Sequence, residues 1–119
     1  MPAIPKPAPE NATPLPGRPV RGSSSGRPIM ALLDLLGRRW ALRILWELRE
    51  GPLGFRALQA RCDGMSPSVL SQRLAELSEA GVVGQNASQE YALSAEGARL
   101  LAALAPLNDW AARWSRRAP

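Results

Sequence analysis

The sequence predicts a mainly α-helical domain with one small β-hairpin, preceded by a tail. After residue 28, apolar residues recur three and four positions apart in five stretches, the spacing of helices that bury one face. Two short apolar runs, Val82-Val83 and Tyr91-Ala92-Leu93, flank a polar segment, as in a hairpin. The first 28 residues hold eight of the twelve prolines and few large aliphatic side chains. We therefore predict a disordered Pro/Gly/Ser-rich tail over residues 1–27 and one folded domain over residues 28–117.

The domain is predicted to begin with two apolar helices. Pro28 opens the first, over residues 29–36, and Gly37 is expected to end it because glycine is common just after a helix. The second extends over residues 39–50 and is apolar nearly all round, with Trp46 away from its main apolar face. A helix of this kind is buried or covered by a partner.

The next elements have the pattern of a helix-turn-helix. A short extended piece at residues 53–55 leads into a helix over residues 56–62, and Asp63-Gly64 is a turn signal. Ser66 can then cap a fourth helix, and Pro67 suits its first position because the N–H that proline lacks has no partner there. A helix of about seven residues, a glycine turn and a second helix are the parts of this motif.

The fourth helix has two contrasting faces. Its apolar stripe consists of Leu70, Leu74 and Leu77. The opposite face carries Ser68 and Gln72, with Ser71 beside them. Such a face is poor at catalysis, but serine suits either edge pattern of the bases in a DNA major groove and glutamine can pair with adenine. We therefore expect a recognition helix whose base-edge contacts come from Ser68, Ser71 and Gln72; the alternative is an ordinary polar helix surface.

A hairpin and a long helix complete the domain. Residues 84–90 form the polar turn of the hairpin, which is a minimal wing, and Ser94 caps the final helix. The apolar stripe of that helix continues to Trp114, further than a small domain needs, so we expect pairing with a second copy. Pro106 lies within the stripe and is expected to bend the helix, because it removes one backbone hydrogen bond.

Positive charge is concentrated before the end of the proposed recognition helix. The net charge is +5. Between positions 38 and 73 the sequence contains seven arginines and three acidic residues. The predicted phosphate contacts are Arg38, Arg39, Arg56, Arg61, Ser66 and Arg73. An internal salt bridge is the alternative for Arg73, and ordinary solvation is the alternative for the arginines in general.

Composition argues against several other classes of protein. The sequence has no histidine, which excludes Ser–His and Cys–His catalysis and histidine metal sites, and it has no glycine-rich phosphate loop. We expect no enzyme activity, no cofactor and no metal. The single cysteine, Cys62, excludes an intramolecular disulfide and is expected to be structural rather than a thiol sensor. With no apolar run of membrane-span length and no secretory signal, we expect no membrane partner and a cytoplasmic, nucleoid-associated protein.

The order of these pieces resembles that of the HxlR-type winged helix-turn-helix regulators of prokaryotes, which are MarR-like, over roughly residues 28–114. The matching pieces are residues 33–40, 44–48, 51–52 with Phe55 and Leu58, 65–74, 76–77, 81–83, 91–94 with Gly97, and Trp110. The resemblance implies a homodimer that pairs through its first and last helices. It also implies binding to pseudo-palindromic operators in double-stranded DNA, mostly to repress transcription.

The chain departs from this family in three places. Where the family often has a sensor cysteine before the first helix, this chain has Arg27. The wing is shorter than usual and lacks the characteristic basic residue, and the proline of the last helix is displaced toward the C-terminus. The short neutral wing keeps a second function open: a winged-helix dimer that acts as a protein-interaction module with weak or no DNA binding.

The tryptophans also have two interpretations. Core or dimer contacts are the first interpretation for Trp40, Trp46, Trp110 and Trp114. The alternative is a pocket between the dimer helices for an unknown small-molecule effector.

Overall fold

A computed structural model of the chain describes residues 12–21, 24 and 26–117. Within these residues the chain forms five helices and one two-stranded antiparallel hairpin, which confirms the predicted fold class. The elements are α1 (Pro28–Gly37), α2 (Ala41–Glu47), α3 (Phe55–Arg61), α4 (Pro67–Glu79), β1 (Val83–Gln85), β2 (Tyr91–Leu93) and α5 (Ala95–Arg117). The helix-turn-helix is α3 and α4, and the hairpin that follows is the wing.

The core is formed where α2, α3 and α4 meet beneath the base of the wing. Its most deeply buried side chains are at most 2% exposed and are Ile44, Leu45, Leu48, Leu58, Cys62, Leu70, Leu74 and Leu77. Burial of each large aliphatic side chain contributes roughly 1.5–3 kcal/mol. The apolar stripe of α4 thus lies entirely inside the protomer.

The junction of α1 and α2 differs from the prediction. Gly37 is the last residue of α1 rather than the residue after it, and Arg38 is the C-cap. The second helix begins at Ala41 instead of residue 39, because Trp40 adopts a left-handed conformation with φ of 77° that cannot continue a right-handed helix. It ends at Glu47, and a turn in which the Gly51 N–H donates to the Leu48 carbonyl oxygen replaces the predicted last residues.

The predicted turn between α3 and α4 is confirmed. Asp63 and Gly64 have φ of 56° and 70°, a conformation in which glycine is not strained. The Met65 N–H donates to the Cys62 carbonyl oxygen at 3.2 Å, and Gln59 Nε2 donates to the Met65 carbonyl oxygen at 2.9 Å. At the other end of α3, Phe55 belongs to the helix instead of the extended piece predicted for it.

The wing is a short two-stranded hairpin, and Leu53 forms an isolated β-bridge with its second strand. Gln85 lies opposite Tyr91 in the antiparallel register, and β1 begins at Val83, one residue later than predicted. Leu53 adds two backbone hydrogen bonds to Tyr91, at 2.9 and 2.8 Å. At the tip, Asn86 Oδ1 accepts from the N–H groups of Ser88 and Glu90, so the loop closes on itself.

Helix α5 is attached at its beginning and exposed toward its end. The predicted cap is confirmed: Ser94 Oγ accepts from the Gly97 N–H at 3.0 Å and donates to the Gly81 carbonyl oxygen at 2.5 Å. Gly97 lies so close to the wing that a Cβ there would overlap the Val82 carbonyl oxygen. The helix continues past Pro106 to Arg117, and its residues after position 104 are exposed.

Part of the N-terminal segment contacts the domain. Thr13 and Pro14 are buried, the Ala12 carbonyl oxygen accepts from Arg38 Nη2 at 2.6 Å, and the Arg21 N–H donates to Asp34 at 3.2 Å. The prediction of a disordered tail did not include these contacts, because apolar periodicity does not reveal hydrogen bonds to backbone carbonyls. Residues 1–11 of that tail lie outside the described residues, and the domain bounds stay a prediction.

In the part of the chain that the structure describes, no helix combines the length and the apolar character needed to cross a lipid bilayer.

Candidate nucleic-acid interface

The front of α4 is exposed while its back is locked in the core. Ser68, Ser71 and Gln72 are all exposed, opposite the buried leucine stripe. Among the described residues, the side chains of Ser71 and Gln72 have no hydrogen-bond partner, and Ser68 Oγ lies 3.4 Å from Ser66 Oγ. These hydroxyl and amide groups are therefore available to a ligand, which is what base-edge contact requires. Their role as base-reading residues stays a prediction.

Ser66 begins the recognition helix as predicted. Its Oγ accepts from the Val69 N–H at 3.3 Å, and Pro67 follows at the first helical position. The side chain is exposed, so the hydroxyl can also donate to a phosphate oxygen near the positive end of the helix dipole.

Three of the predicted phosphate-binding arginines have exposed side chains. Arg56 and Arg61 lie on α3, and within the described residues their side chains have no ion pair or hydrogen bond. Arg39 lies in the loop before α2, with its guanidinium 5.5 Å from the centre of the Trp40 ring. An exposed guanidinium with no acidic partner keeps its charge and its donors for a phosphate.

Arg38 and Arg73 are placed differently: both pair with Glu76, a buried acid of α4. Arg73 Nη1 lies 2.9 Å from Glu76 Oε1, and Arg38 Nη1 pairs with Oε2 of the same carboxylate. The three side chains are 5–17% exposed. The internal salt bridge considered for Arg73 is therefore present, and we leave both arginines out of the phosphate contacts proposed below.

Sequence reasoning missed Glu76. Its spacing of three from Arg73 on one helix was a visible signal of an ion pair. Its other partner, Arg38, is 38 residues away along the chain, and no local pattern links the two.

Arg43 was also missed, and it supports the helix-turn-helix from α2. Its guanidinium donates to Glu47 Oε2 at 3.1 Å, to the Arg61 carbonyl oxygen at 2.7 Å and to Asp63 Oδ2 at 3.3 Å. The hydrogen bond with Glu47 raises the pKa of Arg43 above its ordinary value. The arginine thereby satisfies a carbonyl at the C-terminal end of α3 and holds the turn that leads to α4.

The wing carries no positive charge. From Val82 to Ala98 the sequence has no lysine or arginine, and the tip contains Glu90. Two of its polar side chains are used inside the loop, since Gln85 Nε2 donates to the Gln89 carbonyl oxygen and Asn86 Nδ2 donates to Glu90. The wing therefore offers no cation to a DNA phosphate.

A second set of exposed side chains is apolar and lies on α1, α2 and α5. Its members are the exposed side chains of Ile29, Leu33, Leu42, Trp46, Leu107, Trp110 and Trp114. Trp110 and Trp114 stack with their ring centres 5.7 Å apart, and the Arg49 guanidinium lies 4.0 Å from the Trp46 ring centre. Between α2 and α5 a groove of about 520 Å³ is lined by residues of both helices. We call this whole surface the apolar face.

The single thiol is outside both surfaces. Cys62 is buried at the end of α3, and burial raises its pKa. A buried thiol that stays protonated is a poor nucleophile.

Comparison with known proteins gives helix-turn-helix transcriptional regulators. A family model described as HxlR-like helix-turn-helix matches residues 35–119, which include α2 to α5 and the wing. The HTH-type transcriptional regulator YvaP of Bacillus subtilis is 33% identical over 88 residues, which cover 69% of this chain and 82% of YvaP.

Two solved structures of transcriptional regulators are similar in fold. Quinone-bound YodB of Bacillus subtilis has a TM-score of 0.67 and 28% identity, over 71% of this chain and 94% of YodB. A MarR-family regulator of Enterococcus faecalis V583 has a TM-score of 0.68 and 28% identity, over 75% of this chain and 86% of its own.

Proposed function

The chain belongs to the HxlR-like helix-turn-helix family of transcriptional regulators, and we propose that it is a homodimeric repressor that binds pseudo-palindromic operators in double-stranded DNA. The observation that carries this proposal is the free polar front of α4 opposite a fully buried stripe. Proteins of this family are transcriptional regulators rather than enzymes. We propose that the protein is cytoplasmic and acts on the DNA of the nucleoid.

Base recognition is assigned to three side chains of α4. Gln72 can donate and accept toward the N6 and N7 atoms of one adenine, and Ser68 and Ser71 can bond either donor or acceptor edges. In a helix-turn-helix the N-terminal part of the second helix enters the groove while the first crosses the backbone. The three residues lie in the first half of α4, which supports this assignment.

Backbone contacts are assigned to Arg39, Arg56, Arg61 and Ser66. Arg56 and Arg61 project from α3, the helix that crosses the DNA backbone in this motif. These contacts give affinity and register without reading sequence. Because the wing has no cation, we assign no phosphate contact to it.

Pairing of two copies is assigned to the apolar face. Exposed apolar patches of this kind mark interaction sites, and this one includes both the first helix and the last. A two-fold dimer presents two copies of α4 to one side of the duplex, so the half-sites should lie roughly 10 base pairs, or a multiple of that, apart.

A small-molecule effector, if one acts here, is assigned to the groove between α2 and α5. Its volume is within the usual range for ligand pockets, and its lining is mostly apolar with Arg49, Asn108 and Asp109 as polar groups. YodB was solved with a quinone bound. In this chain the thiol of Cys62 is buried and has a raised pKa, so we favour non-covalent binding.

Binding to random-sequence duplex at two salt concentrations tests the function. With three arginines on each protomer assigned to phosphate contacts, affinity should fall on the order of 10³-fold between about 50 and 200 mM salt. Selection from a pool of duplexes with a randomised centre should then enrich two inverted half-sites. Absence of binding at low salt would instead support the protein-interaction module, for which the lack of lysine and arginine in the wing is the favouring observation.

A further inference from the structure

The acid Glu76 connects parts of the molecule that have different tasks in the proposed dimer. Arg38, which binds one of its oxygens, is the C-cap of α1. Arg73, which binds the other oxygen, lies on α4 itself and also donates through Nε to the Arg39 carbonyl oxygen at 2.8 Å. The group of Arg38, Arg73 and Glu76, here called the triad, thus ties the recognition helix to the end of the first helix.

The triad constrains α4 in a way that the leucine stripe does not. Apolar contacts resist separation of a helix from the core but allow small rotations and shifts, because dispersion and burial are not directional. A carboxylate with a separate guanidinium on each oxygen fixes both distance and orientation. Glu76 is only 5% exposed, so water competes weakly for these bonds.

Helix α1, which the triad connects to α4, also belongs to the proposed dimer contact. Helix α1 buries Ala31 and Leu35 against the protomer and exposes Ile29 and Leu33, which belong to the apolar face. A shift of α1 at the proposed dimer contact would act on α4 through the contact of Arg38 with Glu76. In a two-fold dimer, such a shift changes the separation of the two recognition helices.

From this geometry we propose that Glu76 is a positioning residue for DNA recognition: the triad couples α4 to the dimerising helix α1 and so sets the half-site spacing that the protein accepts. This inference rests on the proposed function, since it needs a dimer that binds two half-sites. Glu76 itself contacts neither a base nor a phosphate in the proposed complex.

The test compares spacing preference rather than affinity alone. The probes are duplexes that carry the two half-sites enriched by the wild-type protein, at their selected spacing and one or two base pairs closer or further apart, together with a single half-site. Glu76→Gln keeps the size of the side chain but removes the charge that holds Arg38 and Arg73. Glu79→Gln makes the same change one turn further along α4, where Glu79 pairs with the exposed Arg18 at 3.5 Å and with no other described residue, and is the matched control.

The wild type and Glu79→Gln should prefer the selected spacing by about tenfold or more over a two-base-pair shift, comparable to the cost of a mismatched base pair. Glu76→Gln should lose most of this preference, to within about threefold, and bind the single half-site nearly as the wild type does. Thermal unfolding, followed by circular dichroism, is measured for every variant.

A second pair of variants separates positioning from stability. Arg73→Lys keeps the charge but has a single nitrogen in place of the two separate nitrogens that donate to Glu76 and to the Arg39 carbonyl, so it should broaden the spacing preference in a protein that still folds. Replacing the triad together by Arg38→Met, Arg73→Met and Glu76→Leu should give a midpoint of thermal unfolding at or above that of Glu76→Gln, because buried ion pairs often add little over apolar packing. It should not restore the spacing preference.

The outcomes decide separately for the two proposals. Unchanged spacing preference in Glu76→Gln and Arg73→Lys, with an equal loss of affinity on every duplex, would show that the triad is only structural. If the wild-type protein enriches no sequence from the pool, the proposed function fails, and the failure does not come from the triad.

Discussion

Helices α4 and α5 both carry apolar stripes at helical spacing, but only the stripe of α4 is buried within the protomer. Leu70, Leu74 and Leu77 of α4 are at most 2% exposed, whereas Trp110 and Trp114 of α5 are 54% and 60% exposed. The periodicity in the sequence is the same for both. Apolar periodicity therefore identifies an apolar helix face, and the fold of the chain decides whether that face is buried within the protomer.

The division within α5 follows the extent of the core. Near its beginning, Gly97, Leu100 and Leu101 pack against the wing base and the core cluster. After Leu104 none of the described residues buries the helix, and its apolar side chains are exposed. A second copy of the chain is the cover that we propose for this half.

The largest effect should come from charging the exposed stripe of α5. Trp110→Glu should break the homodimer, because a buried tryptophan at an interface contributes about 2–4 kcal/mol and each dimer contains two. Sedimentation at micromolar concentration should show a species of 12.8 kDa. Ala112→Glu, on the opposite side of the same helix, should remain dimeric. A dimer that survives Trp110→Glu would remove α5 from the interface.

The two stripes can be compared in a monomer by replacing one leucine of α4 and one leucine of α5 with alanine and measuring the free energy of unfolding. In the Trp110→Glu background, Leu74→Ala should lower the free energy of unfolding by about 2–5 kcal/mol, because it leaves a cavity in the core. Leu107→Ala is the same change at a residue that is exposed in the protomer, and it should cost less than about 0.5 kcal/mol. Urea unfolding measures both. Similar losses at the two positions would mean that α5 is covered within its own chain.

The front of α4 is exposed for a different reason, and Gln72→Ala tests it. If Gln72 reads a base, the variant should lose roughly 1–3 kcal/mol on the operator and little on random duplex, since only a base contact discriminates. Fluorescence anisotropy on both DNAs provides the measurement. Equal weakening on the two would contradict the groove-reading role of this helix.

The smallest effect should come from a single phosphate-binding arginine. Arg56→Ala should weaken binding to operator and random duplex about equally and reduce the salt slope by about two units, because each of the two copies in the dimer neutralises one fewer phosphate. Arg99→Ala is a suitable control, because Arg99 lies on α5 and pairs with Glu96. An unchanged salt slope in Arg56→Ala would mean that this arginine is only solvated.

The parts of the fold that the sequence predicted best are those with local causes. Ser66 and Pro67 start α4, Asp63-Gly64 forms the turn and Ser94 caps α5, each because of chemistry within a few residues. The exposed front of α4 follows as soon as its leucines are placed in the core. The fold class and the position of the helix-turn-helix could therefore be predicted from the sequence.

The rest depended on contacts between distant parts of the chain. Arg38 reaches Glu76 on α4 and Ala12 in the N-terminal segment, so its position in a basic stretch was misleading about its partners. The left-handed conformation of Trp40 shortens α2 although its sequence is apolar and helical in pattern. Charge and periodicity in the sequence indicate which interactions a side chain can make. Which residue it interacts with is decided by the tertiary structure.

The close approach of Gly97 to the Val82 carbonyl has a consequence for how this sequence can vary. Even alanine would place its Cβ against backbone rather than against a side chain that could move aside. In a library with all twenty residues at position 97, selection for folded protein should therefore return glycine almost alone, while Ala98, exposed and next in the chain, should accept many residues. The packing of the final helix against the Val82 carbonyl thus limits the residues tolerated at position 97, for a reason of fold rather than of ligand binding.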